Sequence, residues 1–315
     1  MRQYMIRRLL QMIPILFGVS ILIFAIVRST PGDPYAYLFG PRVDPKVKQK
    51  LKEEMGLNDP LPMQYLTWLK TTLKGDLGYS LRTQQPVAEM LGKRLGPTFI
   101  LSFASLLIGI TLAIPIGVLS ATRQYSFFDY ATTTFAFLGI SLPTFFTAIL
   151  AIYFFAVKYP LFPMNGMATP GVNELWDRLH HMVLPTLVLS VGSIAGFTRY
   201  TRASMLEILR QDYIRSARAK GLAERVVIYK HALRNGMIPL VTLLGLSLPG
   251  LFGGAIITEG IFTWPGMGLL TIEAVNNRDY PVLMATNIFF ALLTILGNLI
   301  ADLLYAVVDP RIRYS

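Results

Sequence analysis

The chain has 315 residues, of which 53% are hydrophobic and 15% charged, and its mean hydropathy is +0.50. Soluble domains carry about 25% charged residues, so this composition excludes an ordinary soluble protein and indicates an integral membrane protein. Because the chain contains no cysteine, disulfides and thiolate metal sites are also excluded.

Six stretches without a charged residue or histidine follow one another along the chain. They are residues 9–27, 96–122, 130–157, 182–198, 235–258 and 280–301. A helix needs about 20 residues to cross a hydrocarbon core of about 30 Å. The fourth stretch is short, but its apolar centre is too long and uniform for a loop. The pattern predicts an all-α membrane protein with six transmembrane helices.

The net charge of +11 is distributed unevenly between the two sides of the membrane. If the six spans alternate, the loop 199–236 lies on the side of both termini and holds nine Lys or Arg residues. Loops 158–181 and 259–279, on the other side, hold only Lys158, Arg178 and Arg278. Basic loops stay in the cytoplasm, so both termini are predicted to be cytoplasmic. The charge thus follows membrane topology and gives no reason to expect a nucleic-acid partner.

Four parts follow from this topology. Residues 1–27 are the cytoplasmic N-terminus and first span, 28–96 an extracytoplasmic helical segment, 97–308 the core of spans two to six, and 309–315 the cytoplasmic C-terminus. Apolar residues at helical spacing predict helices at 44–55 and 63–73 in the outer segment. This segment is too small for a large core of its own and should pack on the membrane part.

Prolines and glycines interrupt most of the spans. The prolines are Pro14, Pro115, Pro143, Pro185, Pro239 and Pro249, and the glycines that would allow close helix packing are Gly109, Gly117, Gly250, Gly253 and Gly254. Such prolines are either kinks tolerated by neighbouring helices or hinges of a gate, and both interpretations stay open.

The cytoplasmic loop 199–236 is the most informative segment. Asp212 is a predicted N-cap, residues 213–220 a short helix, and Gly221 its C-terminal stop. Ile214, Ala217 and Gly221 share one face, which would offer a partner a small, smooth surface. A second helix, 224–234, leads to Asn235, a predicted N-cap for the fifth span. The loop either lies on anionic lipid or docks on a partner, because a two-turn helix is unstable alone.

No constellation for catalysis is present in the sequence. The histidines His180, His181 and His231 have no carboxylate at metal-ligand spacing, and the chain has no Gly-x-x-x-x-Gly-Lys-Ser/Thr phosphate loop. The sequence therefore predicts neither an ATPase nor a metal site in this chain.

Segments 215–221 and 231–235 resemble the cytoplasmic motif Glu-Ala-Ala-x-x-x-Gly…Ile-x-Leu-Pro of ABC-importer permeases. The departures at Arg215, Ser216, His231 and Arg234 match the dipeptide, oligopeptide and nickel branch. Segments 31–34, 75–80, 258–268, 278–281 and 309–313 look like the first permease subunit of that branch. The likeness therefore covers the whole chain.

The resemblance implies a type I importer permease in a prokaryotic inner membrane, with a role in peptide transport. It implies a homologous second permease, two ATP-binding subunits that hold ATP and Mg, and an extracytoplasmic peptide-binding protein. The residues assigned to ATPase coupling are Asp212, Tyr213, Arg215, Ser216, Ala217, Gly221, His231, Leu233, Arg234 and Asn235. The candidate gate or hinge residues are Pro239, Pro249, Trp264, Pro265 and Gly266. Residues 262–268 are either an interfacial turn, with Trp264 at the headgroups, or part of an outer gate.

Alternatives remain at this stage. The substrate of such an importer could be nickel or a metal chelate instead of a peptide. A proton-coupled secondary transporter is disfavoured, because the spans lack paired acidic and basic residues, and a membrane receptor without transport is a third possibility. Asp302 is the one carboxylate inside an apolar run, and a structural partnership with a loop arginine is favoured over a transport role.

Overall fold

The computed structural model describes residues 2–29, 49, 58–172, 174–247, 250–253 and 255–308. These residues are almost entirely helical, and the β structure among them is a single bridge between Tyr79 and Pro86. The helices are α1 (Arg2–Ser29), α2 (Leu61–Leu73), α3 (Val87–Thr122), α4 (Phe127–Ser141), α5 (Thr144–Ile152), α6 (Leu175–Leu209), α7 (Asp212–Ala219), α8 (Glu224–Val226), α9 (Leu233–Gly236), α10 (Ile238–Ser247), α11 (Gly250–Gly253), α12 (Ile256–Ile261), α13 (Met267–Asn276) and α14 (Tyr280–Val308). Single π-helical stretches, Tyr153–Lys158 and Val227–Ala232, follow α5 and α8.

Within the described ranges, four helices are long and apolar enough to cross a membrane: α1, α3, α6 and α14. A fifth span is formed by α4, α5 and its π-helical extension if this bent pair is taken as one crossing. These elements coincide with five of the six predicted stretches and confirm the all-α membrane fold. The remaining stretch, 235–258, is divided among α9 to α12, and its positions 248, 249 and 254 lie outside the described residues, as Pro249 therefore does.

The bend between α4 and α5 is 103° and occurs at Pro143. Leu142 has an extended backbone, with φ −76° and ψ 127°, because a residue that precedes proline is disfavoured in the helical region. Pro143 then begins α5 as its N-cap residue. By contrast, Pro14, Pro115 and Pro185 lie inside continuous helices. One predicted proline therefore breaks a span, and these three are tolerated within spans.

The closest packing of spans is between α3 and α6. A Cβ at Gly109 would lie 2.7 Å from the Cβ of Ser193, and one at Gly117 would lie 2.6 Å from the Cβ of Thr201. Small residues let the two helix backbones approach closely. The prediction is confirmed at these two glycines, whereas no described residue lies within 4 Å of a Cβ placed at Gly250. Gly254 and the packing around Gly253 lie outside the described part of the structure.

The segment between the first two spans packs on the membrane part, as predicted from its size. Tyr65 of α2 is buried against Phe24 of α1 and Met284 of α14. Val87 and Leu91, at the start of α3, join a buried cluster with α13 and α14. The predicted helix 63–73 is present as α2, whereas the predicted helix 44–55 lies outside the described residues apart from Gln49.

Candidate functional site

The short helix α7, in the loop 199–236 that was predicted to be cytoplasmic, begins one residue earlier than its sequence predicts. Gln211, with φ −71° and ψ 148°, is the N-cap residue, and it provides no side-chain cap. Asp212 was therefore wrongly predicted as the N-cap, because it already lies in the first helical turn, where its exposed carboxylate is 3.4 Å from Arg215 Nη1. A carboxylate in this position still complements the positive end of the helix dipole.

The C-terminal stop of α7 is confirmed at Gly221. This glycine has φ +75°, a conformation that residues with a Cβ rarely adopt. Its N–H donates to the Arg218 carbonyl at 2.9 Å, and the Leu222 N–H reaches the Ala217 carbonyl at 3.4 Å. These two bonds form a Schellman motif, so the chain leaves α7 in a fixed direction.

The small face of α7 is turned towards the rest of the chain. Ile214 and Ala217 are buried in a cluster with Val118 and Ala121 of α3 and Met205 of α6. The expectation that this face is free to contact a partner is therefore wrong. The cluster provides the stabilisation that a two-turn helix lacks in water, so α7 is held by the ends of its own spans.

The opposite face of α7 is exposed. It contains residues spaced at i, i+3, i+4 and i+7, which lie on one side of a helix. They are Asp212, Arg215, Ser216 and Ala219. Ser216 and Ala219 are small, so a partner that approaches this face can come close to the helix backbone. We call these four residues the outward face of α7.

Two side-chain contacts connect α7 to the helical segment that follows. Asn235 Nδ2 donates to Tyr213 Oη at 2.9 Å, which brings together two predicted coupling residues. Arg218 forms a two-bond ion pair with Glu224, at 3.1 and 2.6 Å. Asn235 lies inside α9, so its predicted N-cap role is wrong. These contacts hold α7 and the segment 224–236 against each other.

The ion pair between Arg218 and Glu224 determines the electrostatics at the contact between α7 and the segment 224–236. The Arg218 guanidinium lowers the pKa of the Glu224 carboxyl below its ordinary value of 4.5, and the carboxylate in turn raises the pKa of Arg218. Both side chains are about half exposed. His231, Leu233 and Arg234 follow on the same segment, with Leu233 packed against the buried cluster and Arg234 exposed.

The predicted gate turn lies at the other end of α3. Trp264 is buried, and its Nε1 donates to the Pro97 carbonyl at 3.0 Å. Its predicted location among lipid headgroups is therefore wrong. Pro265 is partly buried and Gly266 fully so, while Pro239 is exposed in the first turn of α10, where a proline costs no intrahelical hydrogen bond. The role of these residues in a gate stays a prediction.

A buried glutamate fixes this turn and was missed by the sequence analysis. Glu259 Oε2 accepts from the N–H groups of Gly268 and Leu269 at 2.7 and 3.2 Å, at the N-terminus of α13. Oε1 accepts from Thr98 Oγ1 at 2.9 Å, and Thr98 in turn accepts from Met267 N at 2.7 Å. Glu259 thereby joins α12, α13 and the start of α3. Its position six residues before the Pro265-Gly266 pair was the available signal.

The glycines of the turn make room for this carboxyl group. A Cβ at Gly266 would overlap Glu259 Oε2 and Thr98 Oγ1. A Cβ at Gly268 would lie 2.6 Å from the Cα of Ile256. Both positions therefore require glycine because of close approach, and not because of their backbone angles.

The sequence analysis also missed an ion pair between Arg202, within the loop 199–236, and Asp129. Arg202 of α6 donates two hydrogen bonds to the buried Asp129 of α4, at 2.6 and 2.8 Å. Ser120 of α3 and the Tyr125 N–H also donate to this carboxylate. Since these residues come from three different spans, the pair braces the ends of α3, α4 and α6. The side chain of Asp302, the predicted ionic partner of a loop arginine, lies outside the described residues.

Two comparisons with protein families cover nearly the whole chain. Residues 113–314 match the binding-protein-dependent transport system inner membrane components, and residues 1–102 match the N-terminal part of membrane components of such systems. The chain belongs to this family of binding-protein-dependent permeases. Its membership confirms the family predicted from the motifs and makes the chain a membrane subunit of an ABC importer.

Relatives of this permease match it from end to end. It is 45% identical to the oligopeptide transport system permease protein AppB of Bacillus subtilis, over 100% of both chains. It is 39% identical to the dipeptide transport system permease protein DppB of Alkalihalophilus pseudofirmus and 40% identical to the glutathione transport system permease protein GsiC of Escherichia coli, again over 100% of both chains.

A solved structure shares the fold of the permease. It is an inward-facing form of the MetNI methionine ABC transporter, with a TM-score of 0.56 at 19% identity. The match covers 70% of this chain and 96% of that chain. At this identity the likeness supports the shared fold alone.

Proposed function

We propose that the permease forms half of the translocation pathway of an ATP-driven peptide importer. The observation that carries the proposal is the 45% identity, over both full lengths, to a permease named for oligopeptide transport. The permeases named for dipeptide and glutathione transport match over the same extent. A homologous second permease would complete the pathway, and an extracytoplasmic binding protein would deliver the peptide.

ATP hydrolysis in this proposal belongs to partner subunits. The sequence holds no phosphate-loop motif, so two ATP-binding subunits would bind ATP and Mg beneath the permease pair. The decisive experiment reconstitutes the complex with its binding protein and measures ATP-dependent uptake of labelled peptides and of nickel. Peptide uptake that stimulates ATP hydrolysis is expected. Uptake of nickel without peptide would transfer the assignment to the metal alternative, and uptake without ATP would contradict the importer mechanism.

The proposed topology places both termini in the cytoplasm and residues 28–96 outside. The chain is free of cysteine, so a single introduced cysteine reports its own location. We expect a membrane-impermeant maleimide to label Lys48→Cys in intact cells and to leave Arg225→Cys unlabelled until the membrane is opened. The opposite pattern would invert the topology.

We propose that α7 is the coupling helix and that its outward face contacts an ATP-binding subunit. The support is a helix that is already stable, leaves at a fixed angle after Gly221, and exposes two small residues. Contact with lipid headgroups depends on positive charge and not on shape. A bulky neutral substitution on the outward face therefore distinguishes the two interpretations.

Ser216→Trp is the variant for this test, and Ser216→Ala is its matched control. If α7 docks on an ATP-binding subunit, the tryptophan should abolish peptide-stimulated ATP hydrolysis and leave the permease folded. The alanine variant should behave like the wild type. Ala217→Leu is unsuitable, because Ala217 is packed inside the permease and its enlargement would disturb the fold itself. Wild-type uptake by Ser216→Trp would make loop 199–236 a basic surface segment.

The outer segment is also proposed to help dock the binding protein. Its lysines at positions 46, 48, 50 and 52 give it a concentrated positive charge. Charge complementarity mainly accelerates association. Replacing these four lysines with glutamate should slow association of the binding protein, measured by surface plasmon resonance with the permease in nanodiscs. An unchanged association rate would leave the segment as a stabilising cap.

A further inference from the structure

The helix α2 has an unusual composition for a helix outside the spans. Its thirteen residues include one charged side chain, Lys70. Leu61, Met63, Leu66 and Leu73 are each more than half exposed. A helix that faces water on one side carries polar and charged residues there. The exposed surface of α2 is therefore mostly apolar, where an aqueous helix would be polar.

The contacts of α2 with α1 show its depth in the membrane. The hydroxyl groups of Tyr65 and Ser20 lie 2.7 Å apart, and the Tyr65 ring is 6.1 Å from Phe17 and 5.4 Å from Phe24. Ser20 lies eight residues before Arg28, the first charged residue after the apolar stretch, or about 12 Å along the helix. Half of the hydrocarbon core is about 15 Å thick. Tyr65 is therefore inside the leaflet in which α1 ends.

Three polar side chains of α2 fit this depth. The helix satisfies its interior backbone groups internally, as a segment in lipid must. The Tyr65 hydroxyl has its partner in Ser20, and Thr71 Oγ1 donates to the Thr67 carbonyl at 2.8 Å. Lys70 is exposed near the C-terminal end of the helix, where a long side chain can extend its ammonium group to the membrane surface.

The surface beside α2 is also apolar. On α1, the exposed residues include Phe17, Ile21 and Leu22. Because α2 packs against α1 at the same level, the two helices present one continuous apolar surface. Most of the apolar stretch of α1 is exposed, so at this depth a soluble protein could reach the surface only by displacing lipid.

We propose that α2 is immersed in the leaflet in which α1 ends, with its exposed apolar residues against lipid acyl chains. The segment between the first two spans is then anchored in the bilayer, and a soluble binding protein contacts other parts of it. Lipid is the occupant favoured by the depth, by the single charge near one end of the helix and by the continuity with α1. Water and the second permease are the other possible neighbours.

The test uses a nitroxide spin label on Leu66→Cys in the complete complex, reconstituted in lipid vesicles. Oxygen dissolves in the hydrocarbon core, whereas a neutral nickel chelate stays in water. Leu22→Cys on α1 is the control for lipid, and Gln85→Cys in an exposed turn is the control for water. We expect the Leu66 label to match Leu22, with strong oxygen relaxation and loss of the nickel effect seen at Gln85.

Two results would overturn the proposal. Nickel relaxation as strong as at Gln85 would place α2 in water. Protection from both reagents together with an immobile label would place it against another protein. Fluorescence of Trp68, taken as the difference between the unmodified complex and Trp68→Phe, provides a measurement without a label. Lipids brominated on their acyl chains should quench it, and headgroup-restricted quenching alone would contradict immersion.

Discussion

The buried carboxyl group of Glu259 should control the stability of the turn 262–266. Glu259→Ala leaves three donors without their acceptor: two backbone N–H groups of α13 and the Thr98 hydroxyl. Each buried donor left unpaired costs about 1–3 kcal/mol. If water enters the vacated space and satisfies one of them, the expected loss is about 3–4 kcal/mol.

Glu259→Gln should cost much less. Its amide oxygen can still accept from the N–H groups of Gly268 and Leu269, so only the hydroxyl of Thr98 loses its acceptor. The expected loss is about 1 kcal/mol. Since each 1.4 kcal/mol is tenfold in an equilibrium constant, local opening should increase by roughly 100- to 1000-fold in the alanine variant and by about fivefold in the glutamine variant.

Hydrogen–deuterium exchange of the purified complex measures this opening directly. Amides of residues 262–270 should exchange faster in the order wild type, Glu259→Gln, Glu259→Ala, while amides in the centre of α6 should not change. Glu273→Gln, an exposed carboxyl group on α13, is the control and should have little effect. Equal exchange in Glu259→Ala and Glu273→Gln would refute the argument that the carboxyl group holds the turn.

Other predictions concern steric fit and ion pairs. Gly268→Ala should lower the yield of folded complex, since the added methyl group meets the backbone of α12, whereas Gly250→Ala should not; equal yields would contradict this. Arg202→Lys should reduce thermal stability by about 1–2 kcal/mol, because lysine cannot make two parallel bonds to Asp129, and an unchanged melting curve would show that the pair is dispensable. The pKa of Glu224 is lowered by its arginine partner on α7, so the contribution of this pair is present above pH 4.5 and lost as the pH falls through the lowered pKa. Hydrogen exchange of the turn after α7, corrected for its intrinsic pH dependence, gives the free energy of local opening. This free energy should change by less than about 1 kcal/mol over the transition, and a larger change would contradict the exposed position of the pair.

The spans and the glycine stop could be predicted because their causes are local in the sequence. An uncharged run of sufficient length predicts a membrane helix without reference to any other segment. Gly221 ends α7 through its own backbone conformation. The sharp bend at Pro143 was only partly predictable, since a proline in a span indicates a kink but does not give its angle.

The orientation of α7 could not be read from the sequence. Helical periodicity correctly places Ile214 and Ala217 on one face, but it does not show what covers that face. In the structure, the ends of α3 and α6 cover it. Periodicity alone therefore could not show which face of α7 is exposed, although the family resemblance had already assigned Asp212, Arg215 and Ser216 to coupling.

Glu259 and Asp129 were missed because their partners are distant in sequence. Glu259 is separated from Thr98 by 161 residues, and Asp129 is separated from Arg202 by 73. Each acidic residue lies next to an apolar run and looks like a loop residue at its boundary. Only the packing of the spans brings the partners together.

The burial of Ile214 and Ala217 has a consequence for the affinity of any partner that docks on α7. Ordering the backbone of one residue costs about 1–2 kcal/mol. If the eight residues of α7 had to fold on contact with a partner, their ordering would therefore consume about 10 kcal/mol of the interaction free energy. The spans of the permease have already ordered this helix. A partner subunit can therefore bind tightly through a small contact area, and it can dissociate without unfolding the surface that it leaves.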